Sequence, residues 1–318
     1  MTSVCAFVLT RDRKALLEEC VRALLAQTHP VEQVIVLDNA STDGTEEHLR
    51  AAGLLDDPRV RFERREENTG GAGGYREGVR LGIEAGRDWL WLMDDDAEPR
   101  EDALEKLLAA AEDGDAAVCS AVVHPDGSID LQHRCRMGRF IVPLPPSAYE
   151  PGRREEVECA SFVGLLMRTQ AARAAGLPIA EFFIGYDDAE YSLRLRPHGR
   201  IRLVPESEIL HKVPIGGGGA TTRRARFFNA RFGLTYAPVP WEAFWRDLYR
   251  VRNFMWIKQH HGGLSLPSFA LLTGGYLVKS LMYDPRPLRR LPWLVRFARK
   301  GRRGDWSAPS PEEWQRGS

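Results

Sequence analysis

Short apolar runs alternate with helically spaced apolar stripes through the first third of the chain. Residues 4–9, 34–37, 60–62 and 89–93 are runs of the length and composition of buried strands. Between the first two, Leu16, Leu17, Cys20, Val21, Leu24 and Leu25 form a stripe that predicts a helix over 15–27. Further helices are expected from about Thr45, over 74–85 and from near Pro99. Strands alternating with helices predict right-handed crossovers and a mainly parallel sheet. In such sheets ligands gather beyond the carboxyl ends of the strands. Thr10, Asp38, Asn68 and Asp94 all fall at or just after such ends, so they converge on one edge.

The pattern loosens after about residue 116. A strand is expected over 117–123, another over 161–167, and short edge strands at 203–204 and 208–210. Residues 124–158, rich in Pro, Gly and Arg, read as an irregular insertion. Beyond Arg223 the chain turns aromatic and basic, with Phe227, Phe228, Trp241, Phe244, Trp245, Tyr249, Phe254 and Trp256. The expected division is an α/β domain over 1–235 and a helical C-terminal region over 236–318. Residues 263–283 are apolar but carry Pro267, Gly274, Gly275 and Lys279. They predict a segment lying on a membrane surface rather than spanning it. Arg286, Arg289, Arg290, Arg296, Arg299, Lys300, Arg302 and Arg303 follow with no acid among them and suit anionic head groups. Packing on the α/β domain or a homo-oligomer contact is the competing use of this segment.

The chain has 318 residues, with 44 Lys and Arg against 44 Asp and Glu, so its balance gives no reason to expect nucleic acid as a partner. Five scattered cysteines without a CxxC pair, and an N-terminus that enters a strand directly, point to a reduced cytoplasmic protein. With the basic segment, that reading places it on the inner face of the cytoplasmic membrane.

The strand at 89–93 ends in Asp94, Asp95 and Asp96. Three adjacent carboxylates repel one another, and a cation among them relieves the repulsion. Asp94 and Asp96 alternate on an extended chain and share a side. Their oxygens select Mg2+ or Mn2+, an ion that commonly clamps a diphosphate. Asp38 is placed to accept from a base or ribose, while Ser41, Thr42 and Asp43 equally suit a turn and helix cap. Gly70, Gly71, Gly73 and Gly74 would let backbone N–H groups approach a phosphate, with Arg76 adding a charge. Asp187 and Asp188 open a helix, where one could act as general base on an acceptor hydroxyl and the other orient it. His211 could join the metal, and the glycines at 216–219 behind it suit a closing loop.

Taken in order, Leu9 to Arg13, Asp38 to Thr45, Asp94 to Asp96, Asp187-Asp188 and His211 resemble the inverting glycosyltransferases of family 2. Asn68 to Arg76 and Phe183 to Tyr191 look most like the galactofuranosyl- and rhamnosyltransferase branch. The resemblance implies an α/β GT-A fold and a sugar moved from a UDP- or dTDP-linked donor to a lipid-linked or polysaccharide acceptor. It implies Asp188 as catalytic base with Asp187 orienting the acceptor, and Asp94, Asp96 and His211 as ligands of Mn2+ or Mg2+. Donor contacts would come from Thr10, Arg13, Asp38, Asn68, Gly70, Gly71, Arg76, Asp94 and Asp95. Asn39 departs from the family, where a second Asp is common. The rivals are a sugar-nucleotide nucleotidyltransferase and a non-catalytic glycan-binding module. The first would want a glycine-rich loop after the first strand, and Thr10 to Lys14 has no glycine.

Overall fold

A computed structural model describes residues 2–213, 222–232, 236, 238–310 and 313–314. By internal contact the chain separates into two units, residues 1–180 with 187–214 and residues 181–186 with 215–318.

In the first unit, β1 (Val4–Thr10), α1 (Lys14–Leu25), β2 (Gln33–Asp38), α2 (Thr45–Ala51), β3 (Val60–Arg64), α3 (Gly70–Glu84) and β4 (Trp89–Asp94) realise the expected alternation. They are followed by β5 (Ala97–Pro99), α4 (Ala103–Ala110), β6 (Asp115–Val123), β7 (Arg134–Met137), β8 (Ile141–Pro143) and β9 (Cys159–Ala160). Then come β10 (Leu165–Arg168), α5 (Thr169–Ala175), α6 (Asp187–Leu195) and β11 (Arg200–His211). Eight strands form one sheet in the order β3-β2-β1-β4-β10-β6-β11-β5. β3, β2, β1 and β4 run parallel, as do β6 and β11, while β10 and β5 run antiparallel to their neighbours.

Why the first strands were readable follows from their burial. On β1, Cys5 and Phe7 join one apolar cluster with Tyr75 and Val79 of α3, while Val4, Ala6 and Val8 join the other with Leu17, Cys20 and Val21 of α1. A strand covered on both faces is apolar at every position, so it shows as an unbroken run. α3 lies close because Gly74, Gly78 and Gly82 recur every fourth residue. A Cβ there would stand 2.4 Å from Leu9 Cδ1, 2.2 Å from Phe7 Cζ and 2.4 Å from Leu90 Cδ1.

Four expectations change. The segment from Pro99 is first β5 and only then α4. The two short edge strands are one interior strand, β11, whose register against β6 shifts between Val204 and Glu208. The insertion at 124–158 contains β7 and β8, which build a second small sheet with β9. The strand at 161–167 shortens to β10, since Gly164 has φ +69°.

The second unit holds α7 (Arg223–Phe232), α8 (Phe244–Gly262), α9 (Leu266–Tyr283) and α10 (Pro287–Arg303). Arg252, fully buried on α8, donates to the carbonyls of Glu181, Phe182 and Trp306. Asn253 Nδ2 donates to those of Phe182, Ile184 and Gly185. Leu266, Leu271, Val278 and Leu281 of α9 are exposed. Among the described residues no helix is long and apolar enough to cross a membrane.

Candidate functional site

The register of the parallel strands sets the site. Thr10 pairs with Asp38 across β1 and β2, and Leu9 pairs with Asp94 across β1 and β4. These strand ends therefore lie side by side. The chain turns at Asp95 and Asp96 instead of staying extended, and the turn rather than strand alternation brings Asp94 and Asp96 together. His211 arrives from the end of β11, where it pairs with Ala97 of β5. The ligand atoms of Asp94, Asp96 and His211 lie within 4.8 Å of one another.

The three acids differ in their partners, although two of them share Arg13. Tyr75, buried on α3, donates its hydroxyl to Asp94 Oδ1. Asp95 accepts from Thr10 Oγ1 at 2.8 Å and from Arg13 Nη1 at 3.2 Å. Asp96 takes Arg13 Nη1 on Oδ2 at 2.7 Å and faces His211 Nε2 across 3.3 Å with Oδ1. Arg13 thus sets one guanidinium against two carboxylates, both only 5% exposed. Burial, reinforced by Asp96, pushes Asp94 up to about 6. Burial likewise pushes Asp95 up to about 6, with Asp94 adding to it and Arg13 opposing. For Asp96 burial also acts upward, but His211 and Arg13 outweigh it and hold the carboxyl below its ordinary range. His211 is raised, because Asp96 and Asp94 outweigh the effect of its burial.

A divalent ion fits this set. Asp96 Oδ1 is buried without a hydrogen-bond partner. Two carboxylates and one imidazole form a donor set for Mn2+, and their oxygens also suit Mg2+.

The donor-side residues divide into two groups. Asp38 is fully buried. Its Oδ1 accepts from Ser41 N at 2.8 Å, as a turn requires, while Oδ2 has no hydrogen-bond partner and lies 3.8 Å from Arg64 Nη1. Asn68, Gly70 and Arg76 already have protein partners, and Gly71 lies within α3. Asn68 Oδ1 accepts from Gly70 N at 2.9 Å, α3 already includes Gly70 and Gly71, and Arg76 Nη1 donates to the carbonyl of Pro178 at 2.9 Å. Asn39 is the residue that the sequence reading underused. Its Nδ2 donates to Asn68 Oδ1 and Gly70 O, and its Oδ1 accepts from Thr69, so it pins the start of α3 to the end of β2.

Asp187 and Asp188 begin α6, where the helix dipole favours negative charge. Asp187 is buried; the Tyr75 hydroxyl pKa is raised by its burial and by Asp94, with Asp187 adding to them. Asp188 is half-buried, accepts from Ala189 N at 2.7 Å, and adds to the burial that raises the Cys135 and Cys159 thiols. The glycines at 216–219 lie outside the described residues. Tyr75 was missed because it reads as an ordinary helix residue; only its place on the glycine-lined face of α3 marks it.

Comparison with known proteins agrees with this architecture. The profile described as Glycosyl transferase family 2 matches residues 5–174. Galactofuranosyltransferase GlfT1 of Mycobacterium tuberculosis (strain ATCC 25618 / H37Rv) is 29% identical over 314 residues, covering 96% of this chain and 98% of that protein. Galactofuranosyltransferase GlfT1 of Mycolicibacterium smegmatis is 30% identical over 199 residues, 60% of this chain and 65% of that protein, just under two thirds of its length. Mannosyltransferase PcManGT from Pyrobaculum calidifontis, solved with GDP-Man and Mn2+, superposes with a TM-score of 0.52 at 23% identity, covering 94% of this chain and 86% of that one. That likeness establishes the fold.

Proposed function

We propose that this chain, which belongs to glycosyl transferase family 2, moves galactofuranose or rhamnose from a UDP- or dTDP-linked donor to a hydroxyl of a lipid-linked or polysaccharide acceptor in cell-envelope glycan synthesis. Membership makes it a glycosyltransferase with the GT-A fold. The choice of sugar rests on the likeness to the GlfT1 galactofuranosyltransferases over nearly the whole chain. The chemistry rests on one observation, the convergence of Asp94, Asp96 and His211 at the carboxyl edge of the sheet.

On this reading the reaction is a single displacement with inversion. Asp188, the more accessible of the two aspartates on α6, accepts the proton of the attacking hydroxyl. Asp187, buried beside it, orients the acceptor. Oδ2 of Asp38, which makes no hydrogen bond, takes the base or ribose, and Thr10, Arg13 and Asp95 brace the turn that presents Asp94 and Asp96. Mn2+ or Mg2+ on Asp94, Asp96 and His211 would neutralise charge on the departing diphosphate. The exposed leucines of α9 and the arginines of α10 are assigned to an anionic membrane surface.

The test is a donor panel of UDP-galactofuranose, dTDP-rhamnose and GDP-mannose with Mn2+ and a prenyl-linked glycan acceptor, with the product anomer read by NMR. Inverted transfer from the first or second donor supports the reading. Turnover with GDP-mannose alone overturns the donor assignment, and no turnover with any donor, despite UDP binding, overturns the acceptor class.

A further inference from the structure

A second set of ligand-type atoms lies around His211, in the stretch that reads as irregular insertion. Asp130, His133 and His211 are each at most 3% exposed, and their ligand atoms lie within 4.8 Å of one another. The neighbouring atoms of Asp130 and His133 are committed. Asp130 Oδ1 accepts from Gln132 N at 3.0 Å, and His133 Nδ1 shares a hydrogen bond of 2.7 Å with Ser161 Oγ. What remains is Asp130 Oδ2, His133 Nε2 and His211 Nδ1, three buried atoms without a hydrogen-bond partner. Asp130 Oδ2 and His133 Nε2 are 3.3 Å apart, and the rings of His133 and His211 stand edge to face with centroids 5.1 Å apart.

Buried polar atoms are nearly always matched, so three orphans converging on one point mark a missing occupant. The charge nearby is already allotted. Arg134, fully buried, spends its guanidinium on the carbonyls of Ser120, His133, Ser161 and Val163 and leaves Asp130 alone. His124 Nε2 lies 3.8 Å from Asp130 Oδ2 at the solvent side. Two imidazoles and one carboxylate form a nitrogen-rich set, which favours Zn2+ over the harder Mg2+.

We propose that Asp130, His133 and His211 bind a Zn2+-class ion, at a position distinct from Asp94 and Asp96, and that this ion competes with Mn2+ for His211. The competition follows from the ring. A neutral imidazole has one lone-pair nitrogen and one N–H. An ion on Nδ1 leaves the proton on Nε2, which then donates to Asp96 Oδ1 and is lost as a ligand. Only this competition rests on the proposed function; Zn2+ binding stands or falls without donor or Mn2+.

Calorimetry with Zn2+ alone on the full chain tests the site, with Co2+ absorption as a second probe. Asp130→Asn and His133→Gln are expected to weaken Zn2+ binding by about tenfold or more. Their Mn2+ affinity, read by electron paramagnetic resonance in Zn2+-free buffer, should change by less than about threefold. Asp94→Asn should keep Zn2+ binding, and melting in EDTA checks that each variant folds. Equal Zn2+ affinity in wild type and both variants overturns the site. Loss of Zn2+ binding in Asp94→Asn also overturns it, by placing the ion among the acids. If Zn2+ binds as expected but leaves Mn2+ affinity unchanged, the competition is overturned.

Discussion

The acidic run at the end of β4 and the glycine run before Tyr75 both offer ligand loops in sequence, and the structure packs them in different ways. Gly73 and Gly74 sit inside α3, where a Cβ would meet Thr69 and Leu9, and Gly78 and Gly82 continue the same close contact. The N–H of Gly70 is already taken by Asn68. Asp94, Asp95 and Asp96 are drawn in from solvent and matched by Tyr75, Thr10, Arg13 and His211. A run of small residues says that something comes close, without saying what. Like charges that are buried together require opposite charge, and that requirement points to chemistry.

The comparison breaks most sharply at Asp96. On the proposed reading Asp96→Ala costs about 10³-fold in Mn2+-dependent transfer, the several kcal/mol a metal contributes. Initial rates against Mn2+ concentration measure this, and a rate near wild type would remove Asp96 from the site. Asp94→Asn tests the same run through stability. Asp94 is raised to about 6, so in metal-free protein its favourable contribution is present below about 4 and is lost as pH rises through about 6. At pH 8 the buried charge costs about 3 kcal/mol, at about 1.4 kcal/mol per unit. Asp94→Asn in EDTA should therefore melt several degrees higher than wild type near pH 8 and gain almost nothing near pH 4. A lower melting temperature at both values would show that the Tyr75 contact outweighs the charge.

The glycine side is tested by Gly78→Ala. Its Cβ would lie 2.2 Å from the Phe7 ring, so overpacking should destabilise by about 1–3 kcal/mol despite the better helix propensity of Ala. Urea unfolding reads this directly, and a neutral result would mean that α3 shifts away freely. Gly274→Ala is the control. Nothing lies within 4 Å of that Cβ inside α9, so the substitution should stabilise by up to about 1 kcal/mol.

Legibility followed burial. β1, β2 and β4 were readable because both faces are covered, and the polar residues at their ends then stood out. β11 was split in two by Pro205, Glu206 and Ser207, which sit where its register slips against β6. The small sheet escaped notice because its strands are two to four residues long, too short for any period to show. Asp130 and His133 were hidden by the same stretch, whose composition says loop. Asp94, Asp96 and His211, grouped together from sequence, lie close to one another in the structure, although a turn rather than an extended strand joins the two acids. Tyr75 and Asn39 escaped because their partners are far along the chain or on its backbone.

The short segment 181–186 carries a consequence for how this chain can be recombined. Phe183 and Tyr186 adopt φ of 60° and 64°, a left-handed geometry that costs of order 1–3 kcal/mol for a bulky residue. Arg252 and Asn253 answer it by gripping four backbone carbonyls, at Glu181, Phe182, Ile184 and Gly185. The residues that follow immediately are Asp187 and Asp188. A shortened chain ending before α8, or a chimera carrying a relative's last third, would inherit the bent segment without its grip. The helical end of the molecule is thus no detachable accessory, and inheritance of the two acids is tied to inheritance of a pair of side chains some sixty-five residues downstream.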